Sequence, residues 1–478
     1  MGGDGGGLSA QTFTTLHTFT GTDGGFPLGA LVQAPDGNLY GITGGGGTNN
    51  NGTVFKISPS GALTTLYRFC SPPVPGVCTD GAGPNAGFVQ ATNGDFYGTA
   101  DGGAPCSSGG CGTVFKITPS GALTTLDRFC AHGDCTVGQT PVALMLQATN
   151  GDFYGTTVYG GVHDNGILFK ITPTGTLTTV YSFCLPSGCP DYLSPISALV
   201  QSTSGDLYGT TYSGGANACR GFNGCGTVFT LTDTPTTLYS FCSQSGCADG
   251  TSPNVLIQAT DGNFYGTTGG GGADGGGTIF KITPTGTLTT LYSFLCSQGD
   301  CTGVYQPTGL IQATDGNFYG TTGGGGANGG GTIFKITPSG TLTTLYSFCA
   351  QSGCTDGKYP SGLVQDTNGD FYGTASEGGT SATCGAQGCG TVFTLSVGLS
   401  PFVRTQPASG KVTGFVEILG TDLTGATSVS FNGTAAVFKV VSSSLIITTV
   451  PAGASSGTVQ VVTPGGTLSS SVAFRVLP

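Results

Sequence analysis

One short stretch, 152–157 (DFYGTT), recurs in close copies from near the N-terminus into the last third of the chain. Seven copies occur, and their successive tyrosines are 57, 57, 54, 57, 54 and 53 residues apart. These tyrosines are Tyr40, Tyr97, Tyr154, Tyr208, Tyr265, Tyr319 and Tyr372. A period of this length is typical of propeller blades rather than of helical solenoids. The sequence therefore predicts a repeat array that behaves as one body.

Each repeat contains four candidate strands. They are an apolar strand such as 31–34, the FYG strand, a GTVFKIT strand such as 112–118, and an LTTLYSF strand. Glycine supplies 90 residues and charged residues only 8% of the chain. The glycines recur at fixed places beside β-branched and aromatic residues, which indicates many short strands joined by tight turns rather than disorder.

The seventh repeat ends early, because no LTTLY strand follows 390–396. Residues 11–19 match that missing strand position by position, and His17 falls where Tyr67 falls. We therefore predict an all-β, seven-bladed β-propeller over 11–396 that is closed by the N-terminal strand, with 1–10 as a flexible tail. Closure would remove the exposed edges of an open array.

The turns predict two different faces of this ring. Turns such as 36–38 (DGN) and 118–121 (TPSG) join strands one to two and three to four, and their residues suit tight hairpins. They share one face. The opposite face carries the glycine-rich loops, the connections between repeats and every cysteine.

The cysteines indicate an oxidising compartment. Eighteen are present, and they fall into nine neighbouring couples. The couples are Cys70 with Cys78, Cys106 with Cys111, Cys130 with Cys135, Cys184 with Cys189, Cys219 with Cys225, Cys242 with Cys247, Cys296 with Cys301, Cys349 with Cys354, and Cys384 with Cys389. A metal-site interpretation would need clustered thiolates with partner histidines, and the chain has three histidines. We predict local disulfides and an extracellular location, secreted or at the cell surface.

The net charge is −11, which disfavours nucleic acid and anionic bilayers as partners because both require basic patches. No run of eighteen apolar residues exists, so no membrane insertion is expected, and 1–10 lacks the apolar core of a signal peptide. A monomer is expected.

Beyond a short linker at 397–400 the cysteines and FYG copies stop, and alternating Val, Ser and Thr predict about six or seven strands of an antiparallel sandwich over 401–478. The motifs 407–410 (PASG), 416–423 (VEILGTDL), 429–433 (VSFNG) and 449–451 (TVP) resemble an IPT/TIG domain. That resemblance implies an immunoglobulin-like fold without an active site of its own. The FYGTT and GTVFKITPSGTLTTLYSF units resemble the GloVer tandem repeat of secreted bacterial proteins, which implies little about activity.

Residues that depart from the repeat on the loop-rich face are the best candidates for function, because the repeated residues mostly build the scaffold. Asp101, Glu377, Tyr159 and Tyr212 replace glycine where the FYG strand enters its loop. Paired carboxylates are what glycosidic hydrolysis requires, and tyrosines offer stacking surfaces for sugars in a chain that lacks tryptophan. The sequence therefore predicts a carbohydrate-active propeller that binds neutral polysaccharide, with Glu377 as acid and Asp101 as its partner if it hydrolyses.

Several alternatives stay open. The favoured interpretation of Asp101 and Glu377 is that both are solvated loop residues, because a separation of two blades is wide for a catalytic pair. A noncatalytic surface or matrix scaffold is the rival class. His163 and Arg220 lie near Tyr159 in the same loop class, and as substrate-binding residues they would suit a polysaccharide lyase, a third and weaker function.

No cofactor is required by these hypotheses. A ring of aspartates recurs in the connections between repeats: Asp23, Asp80, Asp134, Asp191, Asp249, Asp300 and Asp356. Such regularity favours a structural role through hydrogen bonds to the backbone. A calcium ion held by several of them is the functional alternative.

Overall fold

The computed structural model describes residues 11–70, 78–103, 111–130, 135–183, 192–193, 195, 197–217, 219, 224–232, 234–295 and 305–477. Within these ranges the regular elements are β-strands, apart from short 3-10 turns at Cys135–Val137, Ser245–Cys247, Ser352–Cys354 and Gly385–Gln387. The predicted all-β class is confirmed. No helix in the described part of the chain is long and apolar enough to cross a membrane.

Strand β1 (Thr12–Thr18) precedes a series of antiparallel sheets, which we number in chain order. Sheet 1 contains β2 (Gly25–Gln33), β3 (Leu39–Gly45), β4 (Thr53–Ile57) and β5 (Leu63–Arg68). Sheet 2 contains β6 (Ala82–Gln90), β7 (Phe96–Gly102), β8 (Thr113–Ile117) and β9 (Leu123–Arg128). Sheet 3 contains β10 (Gln139–Pro141), β11 (Leu146–Gln147), β12 (Phe153–Tyr159), β13 (Ile167–Ile171) and β14 (Leu177–Ser182).

The later sheets repeat this plan. Sheet 4 contains β16 (Val200–Gln201), β17 (Leu207–Thr211), β19 (Thr227–Leu231) and β20 (Pro235–Ser240), beside a ribbon of β15 (Tyr192–Leu193) and β18 (Ser213–Gly214). Sheet 5 contains β21 (Thr251–Gln258), β22 (Phe264–Gly270), β23 (Thr278–Ile282) and β24 (Leu288–Ser293). Sheet 6 contains β25 (Tyr305–Gln312), β26 (Phe318–Gly324), β27 (Thr332–Ile336) and β28 (Leu342–Ser347). Sheet 7 contains β29 (Lys358–Gln365), β30 (Phe371–Glu377), β31 (Thr391–Ser396) and, as its fourth strand, β1.

The pairing of β1 with β31 joins the two ends of the repeat array. It runs antiparallel from Thr12 opposite Ser396 to Thr18 opposite Thr391. Phe13 stacks on Tyr346 of sheet 6 with a ring separation of 3.8 Å. The N-terminal strand therefore occupies the fourth position that the seventh repeat lacks.

Aromatic side chains of the FYG strands pack between neighbouring sheets. Tyr40 stacks on Phe96 of the next sheet at 4.4 Å, and Tyr319 stacks on Phe371 at 4.3 Å. The same contact recurs as Tyr97–Phe153, Tyr208–Phe264 and Tyr265–Phe318. Large buried side chains thus join each of these sheets to the next.

In sheets 3 to 7 a glutamine at the end of the first strand provides a second link between sheets. Its side-chain oxygen accepts the backbone N–H of the turn threonine in the preceding sheet. These links are Gln147 to Thr92, Gln201 to Thr149, Gln258 to Thr203, Gln312 to Thr260 and Gln365 to Thr314. Gln33 of sheet 1 instead bonds Asp366 and Thr367 of sheet 7, both at 2.8 Å.

Ten short strands follow sheet 7, more than the six or seven expected. They are β32 (Arg404–Gln406), β33 (Ser409–Lys411), β34 (Phe415–Leu419), β35 (Ser428–Phe431), β36 (Thr434–Ala436), β37 (Phe438–Val440), β38 (Leu445–Thr449), β39 (Val459–Thr463), β40 (Gly466–Ser469) and β41 (Arg475–Leu477). Two four-stranded sheets, ordered β32-β34-β38-β37 and β36-β35-β39-β40, enclose one apolar core. We call this part the C-terminal sandwich.

The C-terminal sandwich lies against the turn-bearing edge of the earlier sheets. Arg404 donates to the side-chain oxygen of Gln33 at 3.3 Å, and Ser444 donates to the backbone oxygen of Pro35 at 2.8 Å. Thr421 bonds Thr367 of sheet 7 at 3.0 Å. This leaves the opposite, loop-bearing edge of the sheets as the face away from the C-terminal sandwich.

Candidate site on the disulfide-rich rim

The antiparallel order of the sheets places the ends of their second and fourth strands at one edge, which we call the rim. Six disulfides lie in the described connections at this edge, and for these six the prediction of local disulfides is confirmed. They join Cys70 to Cys78, Cys130 to Cys135, Cys219 to Cys225, Cys242 to Cys247, Cys349 to Cys354, and Cys384 to Cys389.

The other three predicted couples fall wholly or partly outside the described residues. Cys111 is disulfide-bonded, but its expected partner Cys106 lies outside the described residues. Cys184 and Cys189 both lie outside the described residues, as do Cys296 and Cys301. The pairing of Cys184 with Cys189 and that of Cys296 with Cys301 therefore stay predictions.

The recurring aspartates have structural partners. Asp80, Asp249 and Asp356 each accept a hydrogen bond at 2.8 Å from the hydroxyl of a tyrosine in the preceding fourth strand. His17, which occupies the matching place in β1, bonds Asp23 at 2.9 Å. These bonds favour the structural interpretation over a calcium site. Asp134, Asp191 and Asp300 lie outside the described residues.

Three cysteine sulfurs, those of Cys219, Cys225 and Cys242, lie within 4.8 Å of one another. Each of them already belongs to a disulfide. The thiolate is the form of cysteine that binds metals, so this group is two neighbouring disulfides.

A strained backbone position recurs at the start of the first strands, and sequence reasoning missed it. It is held by Phe26, Gly83, Thr140, Ser252, Gln306 and Tyr359, and the φ angles there lie between 54° and 61°. Each of these residues precedes a proline. We call them the rim residues.

The backbone at the rim residues is the same from sheet to sheet. The N–H of Phe26 donates to Cys389 of sheet 7 at 2.9 Å, and the N–H of Tyr359 donates to Gly330 of sheet 6 at 2.8 Å. Equivalent bonds join Gly83 to Asn51, Thr140 to Cys111, Ser252 to Cys225 and Gln306 to Gly276. The side chains, in contrast, differ at every position and are all at least partly exposed.

A positive φ costs a residue with a side chain about 1 kcal/mol or more, a strain that persists mainly at functional sites. Glycine would avoid this cost, and Gly83 shows that glycine fits the position. Five rim residues nevertheless carry side chains. Positive φ also occurs at eleven other non-glycine residues of the described chain, six of them disulfide cysteines. The rim residues differ from those cysteines in that one shared backbone position carries a different residue in each of their sheets.

Asp101 belongs to the same surface. It stands opposite Gly83, where an added Cβ would lie 2.8 Å from the Asp101 carboxylate. Asp101 thus fills the space that a side chain at position 83 would take. Burial raises the pKa of Asp101, although a hydrogen bond from Asn85 at 3.4 Å opposes the shift.

Glu377 lies beside the Tyr359 rim position. Its cross-strand neighbour is Lys358, whose ammonium lies 3.4 Å from the carboxylate. The same ammonium sits 4.1 Å from the centre of the Tyr359 ring. Contact with Tyr359, and then with Glu377, raises the pKa of Lys358. Glu377 is therefore an ion-paired carboxylate next to an exposed aromatic ring.

Asp101 and Glu377, the two acids proposed as a catalytic pair, do not occupy equivalent positions in the second strands of their sheets. We call equivalent positions in different sheets the same level. Glu377 pairs with Lys358, and the residue at its level in sheet 2 is Gly102, which pairs with Ala82. Asp101 is one residue earlier. Consecutive residues of a strand point to opposite faces, so the fold presents these two carboxylates in different directions. Tyr159 stands at the level of Glu377, because it pairs with Gln139.

The other predicted residues are placed as follows. Tyr159 ends β12 and is 51% exposed. His163 lies in the exposed loop after it. Tyr212 is half-buried between β17 and β18. Arg220 lies outside the described residues.

The fold and rim together define an all-β, propeller-like repeat protein rich in disulfides. A family model of the Gloeobacter/Verrucomicrobia repeat matches residues 7–220, 104–303, 218–436 and 299–474. The chain therefore belongs to this repeat family, and the resemblance to the GloVer repeat is confirmed. No curated protein matches the sequence.

Two solved structures have a similar fold. One is the extracellular domain of a protein described as a hybrid two-component system from B. thetaiotaomicron, with a TM-score of 0.51 and 12% identity over 95% of this chain and 53% of that one. This chain thus spans about half the length of that structure. The other is a fungal alcohol oxidase of the AA5 family in complex with copper, with a TM-score of 0.51 and 12% identity over 98% of this chain and 100% of that one. Likenesses at such identity show the fold alone.

Proposed function

We propose that this protein is a secreted propeller that binds neutral polysaccharide across its disulfide-rich rim. One observation carries the proposal: five rim residues keep side chains on backbone that favours glycine. Phe26 and Tyr359 supply aromatic surfaces, which suit the C–H faces of sugars, and Thr140, Ser252 and Gln306 supply neutral polar groups for hydroxyls.

Charge supports a neutral rather than an acidic ligand. The chain carries a net charge of −11, which would repel polyanions. Lys358, the cation of the Tyr359 site, is already paired with Glu377. An acidic glycan would therefore be repelled by Asp101 and by the net negative charge of the chain. Lys358 would not be free to bind it, because it is already paired.

The proposal includes the architecture that presents the rim. The β1–β31 pairing and the bond between Gln33 and Asp366 support a closed ring of seven blades. The two facing sheets of the C-terminal sandwich support an immunoglobulin-like domain of the IPT/TIG type. The disulfides support an extracellular location.

Hydrolysis is a second candidate, favoured by the raised pKa of Asp101, which is the property expected of a general acid and would exchange the roles that the sequence suggested for Asp101 and Glu377. The different strand levels of Asp101 and Glu377 favour recognition without turnover. We therefore place binding first, and the noncatalytic scaffold remains its rival.

A panel of neutral glucans, mannans, galactans and xylans tests the proposal by affinity electrophoresis and by release of reducing sugar. Binding of at least one polymer, without sugar release, is expected for the parent protein. Sugar release that is lost in Asp101→Asn and Glu377→Gln would instead establish a glycoside hydrolase. Failure of every neutral polymer to bind would contradict the proposal and favour the scaffold.

A further inference from the structure

A cleft of about 390 Å³ opens between sheets 3 and 4 at the turn-bearing edge, opposite to the rim. Its size is within the range of small-molecule sites. Tyr154, Leu207, Val180 and Lys170 are among its lining residues.

The cleft exists because sheet 4 departs from the repeat in two ways. The first is Leu207, which stands where sheets 2, 3, 5, 6 and 7 have phenylalanine. In those sheets the phenylalanine stacks on the tyrosine of the preceding sheet, as Phe153 does on Tyr97 at 4.0 Å. Tyr154 lacks such a phenylalanine in sheet 4. Tyr154 is half-buried, whereas Tyr97 is fully buried. Tyr372 also faces a leucine, Leu39, yet is 2% exposed, so the cleft at Tyr154 needs the second departure as well.

The second departure is a shorter turn between the third and fourth strands. In other sheets a glycine of this turn lies on the preceding sheet. An added Cβ at Gly175 would be 3.0 Å from the backbone oxygen of Leu126, and one at Gly286 would be 2.6 Å from that of Leu238. The turn of sheet 4 runs from Leu231 to Pro235 with no glycine. Val180, the equivalent of Leu126, lines the cleft.

The chemistry of the lining is that of a site for a neutral sugar. Tyr154 offers a ring, and Leu207 and Val180 offer aliphatic surface. Asn150 and Gln201 offer amides, with the Gln201 oxygen fixed by the N–H of Thr149 at 2.9 Å. A pyranose combines C–H faces with hydroxyl groups, and such a mixed lining can satisfy both.

The charges at the cleft leave one carboxylate over. Lys170 lies 3.5 Å from the carboxylate of Asp152, and Asp206 lines the opposite wall. An anion is therefore disfavoured, and the mixed lining suits a neutral sugar. We infer that this cleft is a second carbohydrate site, which takes a single neutral pyranose unit independently of the rim.

Saturation-transfer NMR with a panel of methyl pyranosides tests this inference on the full chain. Transfer to at least one sugar is expected from the parent protein. Leu207→Phe restores the residue of the other sheets and should fill the cleft. Lys170→Ala should weaken binding, and each change should lower the affinity about tenfold.

Lys116→Ala is the matched control, because Lys116 has the same repeat position in sheet 2 and a comparably long ion pair of 3.9 Å with Asp95. It should leave sugar binding unchanged. No transfer to any pyranoside, unchanged binding in Leu207→Phe, or an equal loss in Lys116→Ala would each overturn the inference. Phe26→Gly and Tyr359→Gly should not affect this site, so failure of the rim proposal remains distinguishable from failure here.

Discussion

The side-chain amide of Gln33 donates to the carboxylate of Asp366 at 2.8 Å, although 333 residues separate them in the chain. Both side chains are buried, with 3% and 2% exposure. Gln33 also accepts a hydrogen bond from Arg404. This one contact therefore joins the first sheet, the seventh sheet and the C-terminal sandwich.

Removal of this contact should destabilise the protein more than removal of an equivalent glutamine. Gln33→Leu removes the shortest of the hydrogen bonds that the buried Asp366 carboxylate accepts, leaving those from Thr367 and the Asn368 N–H, and should lower the free energy of unfolding by about 2 kcal/mol. Gln90→Leu is the matched control. The oxygen of Gln90 has no partner, because the residue facing it in the turn of sheet 1 is Pro35, which has no N–H. Denaturant titration of both variants makes the comparison, and equal losses would argue against the special role of Gln33.

Asp366 should make the stability depend on pH in an unusual direction. Burial raises the pKa of Asp366, so the folded protein binds this proton more tightly than the unfolded chain does. The cost of burying the charge is present above the raised pKa and disappears as the pH falls toward the unfolded value of 3.8. Asp366→Ala restores the alanine found in five other repeats.

Unfolding free energies of the parent and of Asp366→Ala should therefore be compared from neutral to acidic pH. The unfolding free energy of the parent should rise relative to that of Asp366→Ala as the pH falls. A difference that is constant across this range, or that shifts toward the variant, would contradict the direction assigned to the pKa of Asp366.

The N-terminal strand should be essential for a closed molecule. Phe13 stacks on Tyr346 and lies 5.5 Å from Phe393, so Phe13→Ala should cost about 3 kcal/mol. Deletion of 11–19 would expose the edge of β31 and should cause self-association. Gel filtration and thermal unfolding measure both effects. A deletion variant that stays monomeric and equally stable would exclude closure by β1.

The disulfides should stabilise the folded protein mainly by restricting the conformations of the unfolded chain. Cys349 and Cys354 are five residues apart, and closing so short a loop stabilises by about 2 kcal/mol in the chain-entropy model. A variant with serine at both positions should lose this amount and should keep the rim backbone. Denaturant unfolding of the oxidised parent and of the variant measures the loss, and equal stability of the two would show that the bond is energetically neutral.

The repeat pattern was sufficient to predict the strands and the place of β1. His17 aligns with Tyr67, and both bond the aspartate of the following connection. Such features follow from local pattern and spacing, which repeat seven times and reinforce one another.

The candidate site was harder to predict. Asp101 and Glu377 both replace loop glycine, but Asp101 lies four residues after Tyr97 and Glu377 five residues after Tyr372. This difference of one residue, which is present in the sequence, turns the two side chains to opposite faces of their strands. The strain at Phe26 and Tyr359 was hidden, because neither residue type signals a positive φ. The proline after each rim residue was the available signal. The cleft at Tyr154 depends on Leu207 and on a shortened turn in a different repeat.

The central claim is that Tyr359 and the other rim residues are retained for binding at a cost in stability. Binding of the best neutral polysaccharide to the parent, Tyr359→Gly and Thr413→Gly tests it most directly, with thermal unfolding of the same samples. Thr413 is an exposed residue of the C-terminal sandwich with a φ of 69°, so it controls for relief of strain away from the rim. We predict that Tyr359→Gly is as stable as the parent or more stable, yet binds about tenfold more weakly, while Thr413→Gly binds normally. Unchanged binding by Tyr359→Gly would contradict the account.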